Sequence, residues 1–389
     1  MMFSPVAWLS ALASEVRGRT AVAVARRRIS ERLALAIACA AFACGAGAAL
    51  AAEAPRDSVI AAPKGPIGGT AQADTSGRPP APRADSLASV AADTASALPF
   101  KIEVAELIPA GARTALLIEP AGAATDAFGR IWIGDAAQHR VIRLDAQGRL
   151  LGQSGNLGSG AGELRRPAGV ALLGTLHVAV LDLENRRVMS YDTNDRLQGT
   201  LVDFESPDLE TALGRIEPRG IAGDRGGALY VADGERDRVL VFDVGGRYVR
   251  TIGGFGEGPG AFRELAGVAA TRRGGVVTIE RAHRRVQRLD PSGTAVASWS
   301  AGPDRAKRGA PPVLAIAVDD SSRVAVADEA SGRVDLFDRD GRRLAEWRGT
   351  RPRALAFAPD GTLLVAEAGS GRLVRLRFAP ALRPDRAEP

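Results

Sequence analysis

Six copies of one spaced pattern constrain the fold of this 389-residue chain: an acidic residue is followed five positions later by an arginine. Successive acidic residues are 39 to 51 positions apart. The acidic residues are Asp135, Asp182, Asp233, Glu280, Asp328 and Glu367. The arginines are Arg140, Arg187, Arg238, Arg285, Arg333 and Arg372. A glycine or alanine also stands thirteen positions before each acid, so the chain contains six structural repeats.

Each repeat contains four short segments of strand character, as residues 218–252 show. The segments are GIAGD (220–224), ALYVAD (228–233), RVLVFD (238–243) and RYVRTI (247–252). Glycine-containing turns such as DVGG separate the third and fourth segments, which is typical of tight hairpins. Four-stranded antiparallel units repeated around an axis form a β-propeller. The sequence therefore predicts an all-β, six-bladed propeller of four-stranded antiparallel blades.

The two ends of the repeat region predict how the ring closes. The sixth repeat ends its third strand near Phe378 and has no fourth strand before the polar tail. A strand-like run, KIEVAEL (101–107), is left over before the first repeat. We therefore expect this N-terminal strand to complete the last blade and to tie the two ends of the propeller together.

Composition divides the chain into four segments. Residues 1–51 join a basic run to an apolar stretch that ends in small residues, which is typical of a signal or membrane-targeting segment. Residues 52–99 are rich in Ala, Pro, Gly and Ser and lack aromatic residues, which predicts a disordered linker. Residues 100–378 are the predicted propeller, and residues 379–389 are a polar tail. We therefore expect an exported protein, periplasmic or extracellular. The alternative is a lipoprotein anchored through Cys39 or Cys44, although the residues before them match a bacterial lipobox poorly.

The net charge gives little reason to expect nucleic acid as a partner. The chain carries 51 Lys and Arg against 45 Asp and Glu, a formal charge of +6. Six of those arginines and only two acids lie in residues 1–51, so the rest of the chain has a charge of only +2. A nearly neutral propeller has no general attraction for polyphosphate. We expect a monomer that meets a membrane only through its N-terminal segment.

Several motifs resemble those of the NHL-repeat family. They are the PAGVA (167–171) and PRGIA (218–222) strand starts, the pair YVADGERDRVLVFD, and the lead-ins GNLGSGAGELRRP (155–167) and GGFGEGPGAFREL (253–265). The fifth and sixth repeats depart from this pattern, because alanine replaces the small glycine and neither has a glycine-rich lead-in. The resemblance implies a six-bladed propeller that binds protein, nucleic acid or carbohydrate. It also implies a rarer class of metal-dependent lactonases and lyases.

Residues repeated in every blade favour a structural role, because a functional site needs asymmetry. We therefore interpret the six acid–arginine pairs as ion pairs or hydrogen-bonded clamps of the loop between the second and third strands. Residues that differ among the blades are the better functional candidates. On the face that carries these loops, here called the top face, the candidates are Arg219, Arg353, Arg236, Arg186, His139, His283 and Arg284.

These candidates predict a non-enzymatic scaffold whose top face binds a partner protein or an anionic glycan, because arginine forks pair with carboxylates. The alternative without a binding role is an ordinary solvated surface in an arginine-rich protein. The enzymatic alternative is a lactonase-like hydrolase or lyase with axial zinc or calcium. Zinc would require His139, His177 and His283 to converge on the axis. Without such convergence we expect no catalytic residue and no cofactor.

Overall fold

The computed structural model describes residues 98–110, 116–302 and 314–380. The predicted signal segment, almost all of the predicted linker and residues 381–389 lie outside the described residues. The described residues form six antiparallel four-stranded sheets, which confirms the predicted six-bladed propeller. Within this part of the chain, no helix is long and apolar enough to cross a membrane.

The strands of each blade follow one another in sequence, except in the sixth blade. Blade one contains β2 (Pro120–Thr125), β3 (Ile131–Asp135), β4 (Arg140–Leu144) and β5 (Leu150–Ser154). Blade two contains β6 (Pro167–Leu173), β7 (His177–Asp182), β8 (Arg187–Asp192) and β9 (Leu197–Asp203). Blade three contains β10 (Pro218–Gly223), β11 (Leu229–Asp233), β12 (Arg238–Phe242) and β13 (Tyr248–Ile252).

The remaining three blades repeat this order. Blade four contains β14 (Leu265–Ala270), β15 (Val276–Glu280), β16 (Arg285–Leu289) and β17 (Ala295–Ser300). Blade five contains β18 (Leu314–Val318), β19 (Val324–Asp328), β20 (Arg333–Phe337) and β21 (Arg343–Arg348). Blade six contains β22 (Pro352–Phe357), β23 (Leu363–Glu367), β24 (Leu373–Pro380) and β1 (Phe100–Ile108).

Burial along each blade explains its residue pattern. The second strands are buried at every position except His177 at the start of β7, because other blades cover both of their faces, as in β11 and β19. Such strands read as continuous aliphatic runs. The outermost strands alternate buried or half-buried residues with exposed ones, as in β17, because one face meets solvent. The core is therefore a set of aliphatic layers between neighbouring blades.

The N-terminal strand closes the ring as the sequence predicts. Strand β1 pairs antiparallel with β24, with Phe100 opposite Pro380 and Ile102 opposite Phe378. Phe100, Ile102 and Phe378 also pack against the core between blades five and six. Because β1 pairs along its whole length, β24 continues to Pro380, two residues beyond the predicted boundary at residue 378.

The inner strands approach one another closely at the repeated small residue. A Cβ atom added to Gly122 would lie 2.6 Å from the Cα of Gly169 in the next blade. At Gly169 an added Cβ would lie 2.9 Å from Ile221 Cγ1. At Gly220 the nearest atom would be 3.8 Å away, which is ordinary contact. Steric crowding therefore requires a small residue at Gly122 and Gly169, but not at Gly220.

A short helix, α1 (Pro207–Leu213), interrupts the connection from blade two to blade three. Proline opens the helix, and Leu213 packs into the core between these blades. Arg238 donates a hydrogen bond from Nη2 to the carbonyl of Leu213 at 2.7 Å. The helix end is thereby fixed against blade three, and the chain that follows it reaches the propeller axis at the top face.

Candidate functional site: the top cavity of the ring

The top face contains a cavity of about 520 Å³ where the six inner strands begin. Residues of all six inner strands line it, so it lies on the propeller axis. Its charged lining residues are five arginines and one glutamate. They are Arg186, Arg215, Arg219, Arg281, Arg353 and Glu217. Three of these arginines, Arg186, Arg219 and Arg353, are among the predicted candidates.

Different elements position these arginines. Arg219 and Arg353 each follow the proline that begins an inner strand, in β10 and β22. Arg186 lies in the loop between β7 and β8 and donates from Nη2 to the carbonyl of Ile216 at 2.7 Å. Arg215 comes two residues after α1, and Arg281 directly follows β15. The inner strands and the loops above them thus present arginines from four blades to one opening.

Sequence reasoning missed Arg215 and Arg281, although a signal for Arg281 was present. The position directly after the repeated acid is small or apolar in four blades. It is charged only at Arg281 in blade four and at Glu329 in blade five. A comparison of that position among the repeats would have singled out both residues. Arg215 follows an insertion that has no counterpart in the other repeats, so no such comparison reaches it.

Carboxylates already neutralise three of the cavity arginines. Arg219 Nη2 lies 2.8 Å from Glu217 Oε1, and Arg353 Nη1 lies 2.7 Å from Glu119 Oε1. Arg186 Nε lies 3.2 Å from a Glu205 side chain that is largely exposed. These pairs hold the guanidinium groups near the opening and reduce the charge that a ligand would meet.

The pair at Arg353 belongs to a network that joins several blades. Glu119 also contacts Arg166, with 3.1 Å between Oε1 and Nη2. On the other side, Glu329 contacts Arg351 at 2.5 Å and approaches Arg353 Nε at 3.9 Å. The network therefore runs from blade five through blades six and one to blade two. Arg353 accordingly contributes to interblade structure as well as to the cavity lining.

Arg215, Arg219 and Arg281 line the opposite side of the opening together with Glu217. Arg215 is exposed and has no charged partner among the described residues. Burial and the nearby Arg219 lower the pKa of Arg281, while Glu264 and Glu217 act in the opposite direction. Like charges therefore stand close together here. We call Arg215, Arg219 and Arg281 the basic cluster.

An aliphatic surface lies beneath the arginines, two residues further along each inner strand than Arg219 and Arg353. We call this surface the floor. It consists of Ala123, Val170, Ile221, Val268, Ile316 and Leu355. Five of the six are large aliphatic residues, and the sixth, Ala123, is the smallest. The cavity thus combines a basic opening with an apolar base.

The repeated acids act as clamps on the connections between blades. All six are buried, with exposed fractions of 0 to 2%. In five blades the carboxylate accepts a hydrogen bond from a backbone N–H of the connection that leads into the inner strand, as Glu217 N does to Asp233 at 2.9 Å. In blades two to four the predicted ion pair also forms, at 2.7 to 2.9 Å.

In the other three blades the predicted pair is longer or is replaced by other contacts. In blade one, Arg140 donates to Gln153 and to the carbonyl of Leu116, while Asp135 accepts only backbone N–H groups among the described contacts. In blade six, Arg372 lies 2.5 Å from Glu106 of β1 and 3.7 Å from Glu367. The added strand β1 therefore draws this arginine outward.

In blade five the repeated arginine and the repeated acid pair with other residues, and the acid contacts an arginine of blade four. Arg333 pairs with Asp335, with 2.6 Å between Nε and Oδ2. Asp328, the partner that the sequence predicts for Arg333, instead contacts Arg284. Arg284 Nη1 lies 2.9 Å from Asp328 Oδ2 without hydrogen-bond geometry. Arg284 is only 2% exposed. The prediction that Arg284 belongs to a top-face binding surface is therefore wrong, because this charge lies in the interior between two blades.

The other predicted candidates lie on the top face but outside the cavity lining. Arg236 donates from Nη1 to the carbonyl of Leu213 at 2.9 Å, so it helps to hold the end of α1. His139 Nδ1 accepts the backbone N–H of Arg166 at 3.1 Å. His283 is exposed in the loop after β15. These three side chains are peripheral to the axis.

The three histidines do not meet. His139 and His283 lie in top-face loops, whereas His177 begins β7 at the opposite face. Within residues 98–110, 116–302 and 314–380, no group of three or more His, Cys, Asp or Glu side chains could hold a metal ion. The arrangement that the axial zinc hypothesis requires is therefore contradicted for the histidines.

A second cavity, of about 650 Å³, opens at the bottom face where the inner strands end. Its charged lining residues are Asp126, Asp224, Asp319, Asp320, Asp360, Arg225, Arg272 and Arg323. Most of these aspartates hold their own turns, as Asp126 does by accepting the N–H groups of Phe128 and Arg130 at 2.9 Å. Arg225 Nη2 lies 2.5 Å from Asp320 Oδ2, which links blade three to blade five.

Comparison with known proteins supports the fold. Residues 222–285 match a family described as "6-bladed beta-propeller" (DUF5128). A segment of 55 residues is 42% identical to RING finger protein nhl-1 of Caenorhabditis elegans. That segment is 14% of this chain, and the match spans only 6% of the nhl-1 protein. The NHL resemblance thus rests on a short segment, whereas the six-bladed propeller is shown.

Solved structures give the same result at low sequence identity. A gluconolactonase from Xanthomonas campestris is similar with a TM-score of 0.52 and 14% identity, covering 73% of this chain and 92% of that one. The U3-55K protein is similar with a TM-score of 0.50 and 15% identity, covering 72% of this chain and 98% of that one. Both identities are below 25%, so these likenesses concern architecture alone.

Proposed function

We propose that this protein is a non-enzymatic binding scaffold that takes carboxylate-bearing ligands, such as an anionic glycan or an acidic protein segment, into its top cavity. One observation carries the proposal: five arginines and a single glutamate line the opening. Guanidinium groups form strong, paired hydrogen bonds with carboxylates. The role is proposed for a protein outside the cytoplasm, in keeping with the predicted export signal.

The basic cluster is the part of the opening that an anion would meet first. Arg215 has no carboxylate partner among the described residues. Glu217 pairs with Arg219 and also stabilises the charged form of Arg281. A ligand carboxylate would give Arg215 a partner of opposite charge. Arg353 is less available, because Glu119 and Glu329 already surround it. The proposed site is therefore centred on blades three and four.

Two substitutions at one ion pair test this assignment in opposite directions. Calorimetric titration with oligogalacturonate at low ionic strength measures the affinity. Arg219→Ala should weaken binding about tenfold or more, since a hydrogen bond to a charged group contributes about 1.5–3 kcal/mol. Glu217→Gln should strengthen binding, because it removes the carboxylate that competes for Arg219. If Glu217→Gln weakened binding as Arg219→Ala does, the pair would have only a structural role.

A further inference from the structure

The floor gives the top cavity a second property that the arginines alone do not explain. Val170, Val268 and Leu355 are only 5 to 6% exposed, and Ile221 is 8% exposed, while Ala123 and Ile316 are half-buried. All six line the same cavity as the basic cluster. A glycan with a hydroxyl on almost every carbon would leave this surface uncovered. An aliphatic group would cover the part of this surface that is still exposed, which is largest in relative terms at Ala123 and Ile316, and would gain free energy from its burial.

The ring is also asymmetric in a way that gives the ligand a direction. Blade one carries Ala123 where every other blade carries Val, Ile or Leu, so the floor is lowest there. In a six-bladed ring, blade four stands opposite blade one. Arg281 belongs to blade four, and Arg219 belongs to the adjacent blade three. The basic cluster and the low part of the floor therefore face each other across the cavity.

We infer that the top cavity binds an aliphatic carboxylate, with the carboxylate at the basic cluster and the aliphatic chain over the floor towards Ala123. This inference rests on the proposed function, because it uses the same arginines, and it adds the chemical class of the ligand. The cavity volume of about 520 Å³ accommodates a chain of several methylenes. The same chemistry occurs in a free fatty acid and in a protein C-terminus that ends in leucine.

Three probes separate the contributions of charge and aliphatic surface. Octanoate carries both features, acetate carries the carboxylate alone, and octanol carries the chain alone. Octanoate should bind the full chain at least about tenfold more tightly than acetate, because burial of two methylenes is sufficient for that factor. Octanol should bind more weakly than octanoate by a similar factor, since it cannot pair with Arg219.

Ala123→Ile tests the floor with a residue that other blades already accommodate at this position, such as Ile221 and Ile316. The substitution should lower octanoate affinity at least about fivefold by filling the low part of the floor, and it should leave acetate binding unchanged. Thermal unfolding and circular dichroism would show whether the variant folds. Ile316→Thr is a second variant, which shortens the side chain and replaces its ethyl group with a hydroxyl group, and it should weaken octanoate binding while leaving acetate binding unchanged.

The outcomes distinguish the two proposals. If octanoate and acetate bind equally, and Arg219→Ala weakens both, the site is anionic but the aliphatic inference is wrong. If neither octanoate nor oligogalacturonate binds, the proposed function fails as well. A peptide that ends in leucine with a free carboxylate, compared with its amidated form, separates the two sources. Tighter binding of the free-acid peptide than of octanoate indicates a protein C-terminus, and the reverse indicates a fatty acid.

Discussion

At the bottom cavity five aspartates stand with three arginines, whereas at the top cavity five arginines stand with a single glutamate. The two openings belong to the same six inner strands, so the backbone gives them similar walls. The bottom aspartates mostly serve local turns, as Asp224 does by accepting the N–H of Ala228 and the hydroxyl of Tyr230. The top arginines differ from blade to blade. The comparison indicates that the bottom aspartates mostly stabilise turns, whereas the top arginines include Arg215, which has no charged partner among the described residues and is therefore central to the proposed site.

Both openings exist only while the ring is closed, so removal of β1 should have the largest effect. A variant that lacks residues 101–108 exposes the edge of β24 and the core around Phe378. We expect it to lose several kcal/mol, on the order of the stability of a whole domain. Chemical denaturation should show a much lower midpoint or no cooperative transition. A variant that lacks only residues 1–97 is the matched control. If a chain beginning at Ile118 unfolded like the full chain, the closure would have no energetic role.

Loss of a repeated clamp beneath the top cavity should have the next largest effect. Asp233→Ala removes a fully buried carboxylate and leaves Arg238 without its partner at 2.8 Å. The expected cost is about 3–5 kcal/mol of unfolding free energy. Asp243→Ala, at a turn residue whose side chain is 36% exposed, should cost much less and is the control. Equal unfolding midpoints for the two variants would contradict the structural role assigned to the repeated acids.

The close packing of the inner strands, which separate the two cavities, can be tested by adding a methyl group at the repeated small residue. Gly122→Ala should cost about 1–3 kcal/mol, because its new Cβ would lie 2.6 Å from the Cα of Gly169. Gly220→Ala is the matched control, since its nearest neighbour would be at 3.8 Å. Denaturant midpoints compare the two variants. A greater loss of stability for Gly220→Ala than for Gly122→Ala would contradict the uneven crowding seen around the ring.

The sequence was sufficient for much of this architecture. Register at the acid, the arginine and the small residue gave the blade count, and the unpaired run at residues 101–107 gave the closing strand. It was not sufficient for the partners of individual charges. Arg284 and Arg353 look alike as non-repeated arginines, yet one is buried against Asp328 and the other is held by Glu119. Those pairings join different blades, so sequence spacing within one repeat cannot reveal them.

The smallest expected effect is the response of the bottom face to acid. Backbone N–H groups, first that of Arg247, lower the pKa of Asp243, and hydrogen bonds act in the same direction on Asp145, Asp192 and Asp290. Because these folded-state pKa values lie below the ordinary 3.8, the charged forms favour folding. Their contribution is complete above pH 3.8 and is lost as the pH falls through the lowered values. Melting temperature should therefore decline below about pH 4, and less steeply in Asp243→Asn.

The same acid series also separates the two faces. Arginine keeps its charge across the accessible pH range, so anion affinity at the top cavity should stay constant between about pH 5 and pH 8. A change in anion affinity within this pH range would contradict the assignment of the site to the arginines. Titration of octanoate or oligogalacturonate at several pH values, at constant ionic strength, makes this measurement.

The central claim is that the top cavity, and not the bottom one, binds anions. Calorimetric titration of oligogalacturonate into two double variants tests it most directly. Arg215→Ala with Arg219→Ala removes two charges at the top, and Arg225→Ala with Arg272→Ala removes two at the bottom, so the net charge of the variants is the same. We predict that the top variant loses at least about tenfold in affinity and that the bottom variant binds like the unmodified protein. Equal losses in both variants, or a greater loss in the bottom variant, would contradict the account.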